Sequence, residues 1–403
     1  MVFRTGSNLA LTKLIALYFG PAGITLLAHF QNLVALFTTL PNDGTHAGLI
    51  RFLAPEKTGS VTFRGYLFTG LLLNFLLFLV LAAFLLIWPE TYFSPFLNEG
   101  SGPGFWLWVL LFLAGMLLLL VFLLGLTVWQ AKQRLPRYLV AQVAAAAGSL
   151  VLVAIFAPRF SLPQTLLAYL AGLSLPVWWL LFVALKNKRY WLQKPDFKKL
   201  YFRQLSTFLL MALSVLVGSK LVDFWVRDHI MEQFGNGPTG FWQAAVKLSD
   251  NYTMVFLAVL GLAYYPQLSA RLAAPETVKA FVKPIFWTLS GAVLLGLVLV
   301  YGLRDWLLVL LFQQDFLPAR TLLPYQLAGD LFKLSSWLLA YLLMAQEKVK
   351  LYIGLNLASA ALYGALVLWL TQDLQMAGVV EAHFWRYLVF WLFLVIWFRK
   401  YLF

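Results

Sequence analysis

The sequence predicts an all-α integral membrane protein of about twelve transmembrane helices arranged in two six-helix lobes. Three observations carry that expectation. Of the 403 residues, 62% are hydrophobic and only 11% are charged, against roughly 25% charged in a soluble domain. Largely apolar stretches such as 71–88 and 106–128 carry no charged residue and are long enough as helices to cross a hydrocarbon core of roughly 30 Å. The strands of a membrane barrel would alternate apolar and polar positions instead. Finally, the basic residues cluster in alternate connections between these stretches, as the segments show when taken in order.

The apolar pattern divides into helices at 1–19, 22–54, 61–88, 104–131, 138–158, 162–185, 203–227, 240–266, 277–303, 318–346, 350–371 and 376–398. The second is too long for one straight span, and Pro41, Asn42, Asp43 and Gly44 predict a break within it. With the N-terminus in the cytoplasm, 21 of the 30 lysines and arginines fall in cytoplasmic segments, among them Lys132, Arg134 and Arg137. Only four, Arg159, Arg227, Arg304 and Arg320, fall on the other side. This is a strong positive-inside asymmetry, and it places both termini in the cytoplasm. One helix more or fewer would scramble the alternation.

The connection 186–200 is basic, with Tyr190, Trp191 and Phe197 interleaved. It reads as an amphipathic segment on anionic headgroups. The expected organisation is therefore an N-terminal lobe over 1–185, a cytoplasmic linker over 186–202 and a C-terminal lobe over 203–403. A faint internal echo supports it. Aligning Gly23 with Gly240 superposes two short Gly/Pro turns, each followed by a similar helix. Six crossings separate the copies, so the repeat is parallel.

Composition also excludes functions. With no cysteine, disulfides and thiolate chemistry are ruled out. The net charge of +14 would suggest a nucleic-acid partner in a soluble protein; here loop asymmetry absorbs it, and no nucleic acid is expected. No small-residue cleavage site follows the first apolar segment, so it is expected to stay. There is no GxSxG, HExxH or Walker loop. No catalytic residue, metal site or organic cofactor is expected.

Three stretches carry a family resemblance: LYFGPAGITLLAHFQN at 17–32, GFWQAAVKLSDNYTMVFLAVLGLAYYPQL at 240–268 and AGDLFKLSSWLLAY at 328–341. In order and spacing they resemble the bacterial O-antigen translocases. These are the Wzx-type flippases, which include the lipid III flippases of enterobacterial common antigen synthesis. The resemblance implies the fold of the multidrug/oligosaccharidyl-lipid/polysaccharide exporters and further residues ahead of Met1. The implied substrate is an oligosaccharide on polyisoprenyl pyrophosphate, moved from the cytoplasmic to the periplasmic leaflet of the inner membrane by alternating access. The bilayer, a polysaccharide polymerase and chain-length proteins are the implied partners.

Five basic residues, Lys13, Lys220, Lys247, Lys333 and Arg386, fall inside predicted spans, where a charge is costly unless it faces a partner or water. Three of them lie three residues from an aspartate: Lys220 with Asp223, Lys247 with Asp250 and Asp330 with Lys333. That spacing puts both members on one helix face. The set reads as a cationic lining for a pyrophosphate, with Lys13 and Arg386, which lack a nearby acid on their own helices, as the closest ligand contacts. The blander reading is mutual neutralisation between packed helices. His29 and Asn32, with Gln31 and Asn74, would bond sugar hydroxyls or simply join helices. His46 beside Asp43 is a titratable hinge or a polar one. Trp88, Trp106, Trp108 and Trp306 read as interfacial anchors. Without a nucleotide site, a proton or sodium gradient, or consumption of the substrate on the far side, would drive the cycle, with Asp223, Asp250 and Asp330 as the expected coupling carboxylates. The competing readings are a polymerase or ligase, whose need for a large outer loop is unmet, a drug exporter on the same fold, and a structural scaffold.

Overall fold

The computed structural model describes residues 2–39, 44–97, 102–186, 198–215, 221–269, 271, 275–346 and 348–403. Among these every regular element is a helix: α1 Val2–Thr38, α2 Gly44–Leu53, α3 Val61–Ile87, α4 Pro89–Phe93, α5 Pro103–Ala131, α6 Leu135–Phe156, α7 Leu162–Ser174, α8 Val177–Lys186 and α9 Lys199–Val215. There follow α10 Val222–Phe234, α11 Asn236–Val259, a π-helical turn Leu260–Tyr264, α12 Tyr265–Ser269, α13 Pro275–Gly302 and α14 Arg304–Leu311. A 3-10 segment Gln314–Thr321, α15 Leu323–Ala345, α16 Val349–Leu374, α17 Met376–Trp397 and α18 Arg399–Leu402 complete the chain. Each of the twelve predicted segments is mostly helical where described, with breaks at 175–176 and 322 inside two of them. Nine helical stretches among the described residues are long and apolar enough to cross a membrane. The chain is a multi-pass membrane protein.

Local chemistry sets the helix ends. Ser60 caps α3 by accepting from the Phe63 amide at 3.1 Å, and Ser161 with Gln164 forms a capping box on α7. Proline occupies the first turn of α4, α5, α6, α7 and α15, where its missing N–H costs nothing. The end of α2 is capped from another helix: Lys132, just beyond α5, donates to the Leu53 carbonyl at 2.6 Å and also to that of Glu56. Burial pushes the Lys132 ammonium below its ordinary value, and Glu56 opposes the shift.

The chain forms two compact units, Met1–Phe19 with Leu26–Leu216 and Gly20–Thr25 with Val217–Phe403. The boundary falls later than the linker read from sequence, of which residues 187–197 lie outside the described residues. The reason is α9. Its Tyr201 and Leu205 join a core with Leu49, Leu53, Phe63 and Tyr66, and Tyr66 donates to Gln204 at 2.5 Å. Residues 203–215 thus pack with the first unit. The second unit's core runs through Leu338, Leu339, Leu342, Leu343, Phe390 and Leu394.

Exposure separates inner from outer helices. Over its most apolar window α15 is 61% buried and α13 only 11%. Leu295, Val298 and Leu299 on α13 are open, a face that suits lipid and would be anomalous in water. α6 and α7 cross closely: a Cβ on Gly172 would lie 2.3 Å from the Ser149 Cα, the small-residue contact of membrane helix pairs.

Candidate functional site

Charge concentrates inside the second unit. Asp330 on α15 is fully buried, and a bare carboxylate there would be strongly unfavourable. Five side chains surround it. Ser249 donates to Oδ2 at 2.5 Å, Tyr252 donates to the same oxygen, and the Gln326 amide reaches it at 3.4 Å. On Oδ1, His383 Nε2 lies at 3.1 Å and Lys333 Nζ at 3.5 Å. The imidazole nitrogen facing a carboxylate oxygen is the donor. Three helices, α11, α15 and α17, thereby meet at one carboxylate. Lys333 extends the network to Thr253 at 3.4 Å and lies 5.4 Å above the Trp337 ring.

Arg386 is the second buried cation. Its Nε donates to Ser359 on α16 at 2.9 Å. Its guanidinium lies 5.1 Å from the Tyr363 ring and 4.9 Å from the Tyr387 ring. Among the described residues no carboxylate lies within ion-pair distance of it, whereas Lys333 has Asp330. Buried Arg227 on α10 has Asp223, Asp250 and Tyr363 in its electrostatic surroundings. Lys247 is half-buried one turn from Asp250, which is exposed.

The predicted site residues thus fall into groups. Lys333 and Asp330 form a true ion pair, and Arg386 sits one turn from His383, both packing on the Tyr387 ring. Asp223, Lys247 and Asp250 lie in the electrostatic surroundings of Arg227. Lys220 lies outside the described residues. Lys13, His29 and Asn32 belong to the first unit. Lys13 is half-buried on α1. His29 faces the Tyr92 carbonyl at 3.4 Å and packs on Phe96. Asn32 Nδ2 is buried with no hydrogen-bond partner among the described residues. Asn74 pairs with Thr45, which favours the helix-joining reading for it, and His46 pairs with Thr127 at 2.7 Å. Among the described residues no group of three or more His, Cys, Asp or Glu side chains is disposed to hold a metal ion.

No protein-family model matches the chain. It is 24% identical over 408 residues to the lipid III flippase of Escherichia coli (strain K12), covering 96% of this chain and 92% of that one. The Shigella flexneri lipid III flippase matches equally. A multidrug resistance MATE family transporter of the MOP superfamily, solved in an inward-facing conformation, superposes with a TM-score of 0.78 at 13% identity, over 99% of this chain and 95% of that one. The lipid II flippase MurJ in an inward closed conformation gives 0.75 at 11% identity, over 99% and 86%. The chain has the MOP-superfamily transporter fold. All of these relatives are named as flippases or transporters and none as an enzyme. On this fold, the Asp330 hub and Arg386 occupy the helices of the second unit.

Proposed function

We propose that this protein flips a polyisoprenyl-pyrophosphate-linked oligosaccharide, an O-antigen unit or enterobacterial common antigen lipid III, across the bacterial inner membrane. Transport runs from the cytoplasmic to the periplasmic leaflet by alternating access, with both termini cytoplasmic. The observation that carries this reading is Arg386. A buried guanidinium, held by a serine and two tyrosine rings with no carboxylate at ion-pair distance among the described residues, is the complement of an anion that arrives and leaves. Lys333 shares its charge with Asp330 and supplies a second positive centre. A pyrophosphate suits such a pair, whereas the cationic cargo of a drug exporter would favour an acidic site. A polysaccharide polymerase would act downstream on the delivered oligosaccharide. Coupling to a proton or sodium gradient through the carboxylates of the second unit supplies the energy.

The test is transport of a fluorescent lipid-linked oligosaccharide in proteoliposomes, read by its exposure on the opposite leaflet. Arg386→Gln should cut the rate by about tenfold or more, the scale of one lost charge-assisted hydrogen bond. Arg386→Lys, which keeps the charge and loses the planar fork, should fall between. Wild-type rates in both variants would move the anion site elsewhere.

A further inference from the structure

The polar stripe of α15 does not end at the two cations. Gln326, Asp330, Lys333, Trp337 and Tyr341 recur at intervals of three or four residues and so share one face. Beyond Lys333 the stripe becomes aromatic. Trp337 and Tyr341 are half-buried, their inner sides packed on the unit's core. From Lys333 to Tyr341 is eight residues, about 12 Å along a helix.

Two other helices bring matching chemistry to the same end of the unit. On α16, Tyr352 and Asn356 lie below Ser359, the hydroxyl that accepts from Arg386; the Asn356 amide also donates to the Tyr352 carbonyl at 2.8 Å. The π-helical turn Leu260–Tyr264 splits two adjacent tyrosines. Tyr264 is buried and its hydroxyl donates to the Leu338 carbonyl at 3.1 Å. Tyr265 stays half-buried with its ring 5.7 Å from that of Tyr341. Tyr265, Tyr341 and Tyr352 pack against the same hydrophobic core. The hydroxyls of Tyr265 and Tyr341 make no hydrogen bond to a described residue. Both residues are half-buried, so these hydroxyls are open to a ligand, whereas that of buried Tyr264 is already used.

We propose that Trp337, Tyr341, Tyr265, Tyr352 and Asn356 form a saccharide subsite, holding the sugars of the substrate while Lys333 and Arg386 face its pyrophosphate. A sugar ring offers apolar C–H faces that stack on aromatic rings and hydroxyl edges that need donors and acceptors. Aromatic walls with a few placed hydroxyl and amide groups meet both requirements. Packing alone would be served by phenylalanine and leucine. The proposal rests on the flippase reading and deepens it, assigning sugar recognition to the second unit and to the end of α15 next to Lys348.

The experiment compares two probes on the full-length protein in lipid nanodiscs: undecaprenyl pyrophosphate, bare and carrying a short oligosaccharide. Wild type should bind the glycosylated probe more tightly. Tyr341→Ala and Tyr352→Ala should collapse the ratio of the two Kd values toward one. Tyr341→Phe and Tyr352→Phe, which keep the rings, should each lower it roughly 2- to 10-fold, the scale of one hydrogen bond. The phenylalanine variants decide the matter if the alanine variants do not fold. Equal affinity for both probes in wild type, or an unchanged ratio in the well-folded variants, overturns the subsite and leaves the flippase reading standing. Failure of wild type to bind either probe instead overturns the flippase reading itself.

Discussion

Asp330 and Lys333 are three residues apart, and that spacing makes their pairing legible in the sequence. The rest of the hub is not. Ser249, Tyr252 and His383 reach Asp330 across 81, 78 and 53 residues, and hydroxyls on a neighbouring helix leave no periodic trace. His383 carries the best available signal, since it precedes Arg386 by three residues and shares its face. Removing the carboxylate while leaving the lysine should expose how the hub is balanced. Asp330→Asn strands Lys333 in a buried position, and breaking such a pair costs roughly 3–5 kcal/mol. Removing both charges, as Asp330→Asn with Lys333→Met, should recover about 1 kcal/mol or more of that loss. Thermal unfolding of the four proteins in one detergent closes the cycle. Strictly additive losses would mean that the two residues do not act as a pair.

At the level of elements, the turn between the predicted first and second helices shows what pattern reading can and cannot reach. The Gly/Pro turn is evident, and Gly20 takes a φ of 61° there, a conformation that favours glycine. The sequence also matches this turn to a second one near Gly240, without indicating that the two touch. Within the second unit the Pro21 backbone lies directly on Gly240: a Cβ there would sit 2.1 Å from the Pro21 oxygen. Thr25 donates to the Asn236 carbonyl at 2.7 Å beside it. A larger side chain must unseat this segment, so Gly240→Val should destabilise the protein by roughly 1–3 kcal/mol, the range for overpacking. Gly354 on α16, with open space where its Cβ would go, provides the control. Its valine variant should shift stability by under about 1 kcal/mol and in the stabilising direction, since glycine is the poorer helix former. Similar melting shifts for the two would deny the Pro21 contact its importance. The π-helical turn and the packing of α9 with the first unit are invisible in the sequence for a different reason: both depend on tertiary contacts among side chains whose local pattern is plain helix.

For the whole molecule, charge is the organising quantity, and on the proposed flippase reading it would govern both orientation in the membrane and the energetics of the cycle. The second unit holds Arg227, Lys247, Lys333 and Arg386 within its helices, against Asp223, Asp250 and Asp330. An empty carrier that resets while carrying uncompensated charge works against the membrane potential, at roughly 2.3 kcal/mol per charge per 100 mV. A carboxylate that gains and loses a proton during the cycle would change that cost and tie transport to a pH gradient. The three aspartates are not equally placed to do this. Every side of Asp330 already faces a donor, so a proton there must displace one of the hub's contacts. Asp223 is half-buried and Asp250 exposed, both in the electrostatic surroundings of Arg227, so both lie closer to water than the fully buried Asp330. Coupling should therefore depend on Asp223 or Asp250, while Asp330 serves as the fixed counter-ion of Lys333. In proteoliposomes under an imposed pH gradient, Asp223→Asn or Asp250→Asn should leave transport that no longer responds to the gradient. Asp330→Asn should lower stability and rate while the residual transport stays gradient-dependent. If the gradient response instead survives in both Asp223→Asn and Asp250→Asn and vanishes in Asp330→Asn, the hub itself is the coupling element and the assignment reverses.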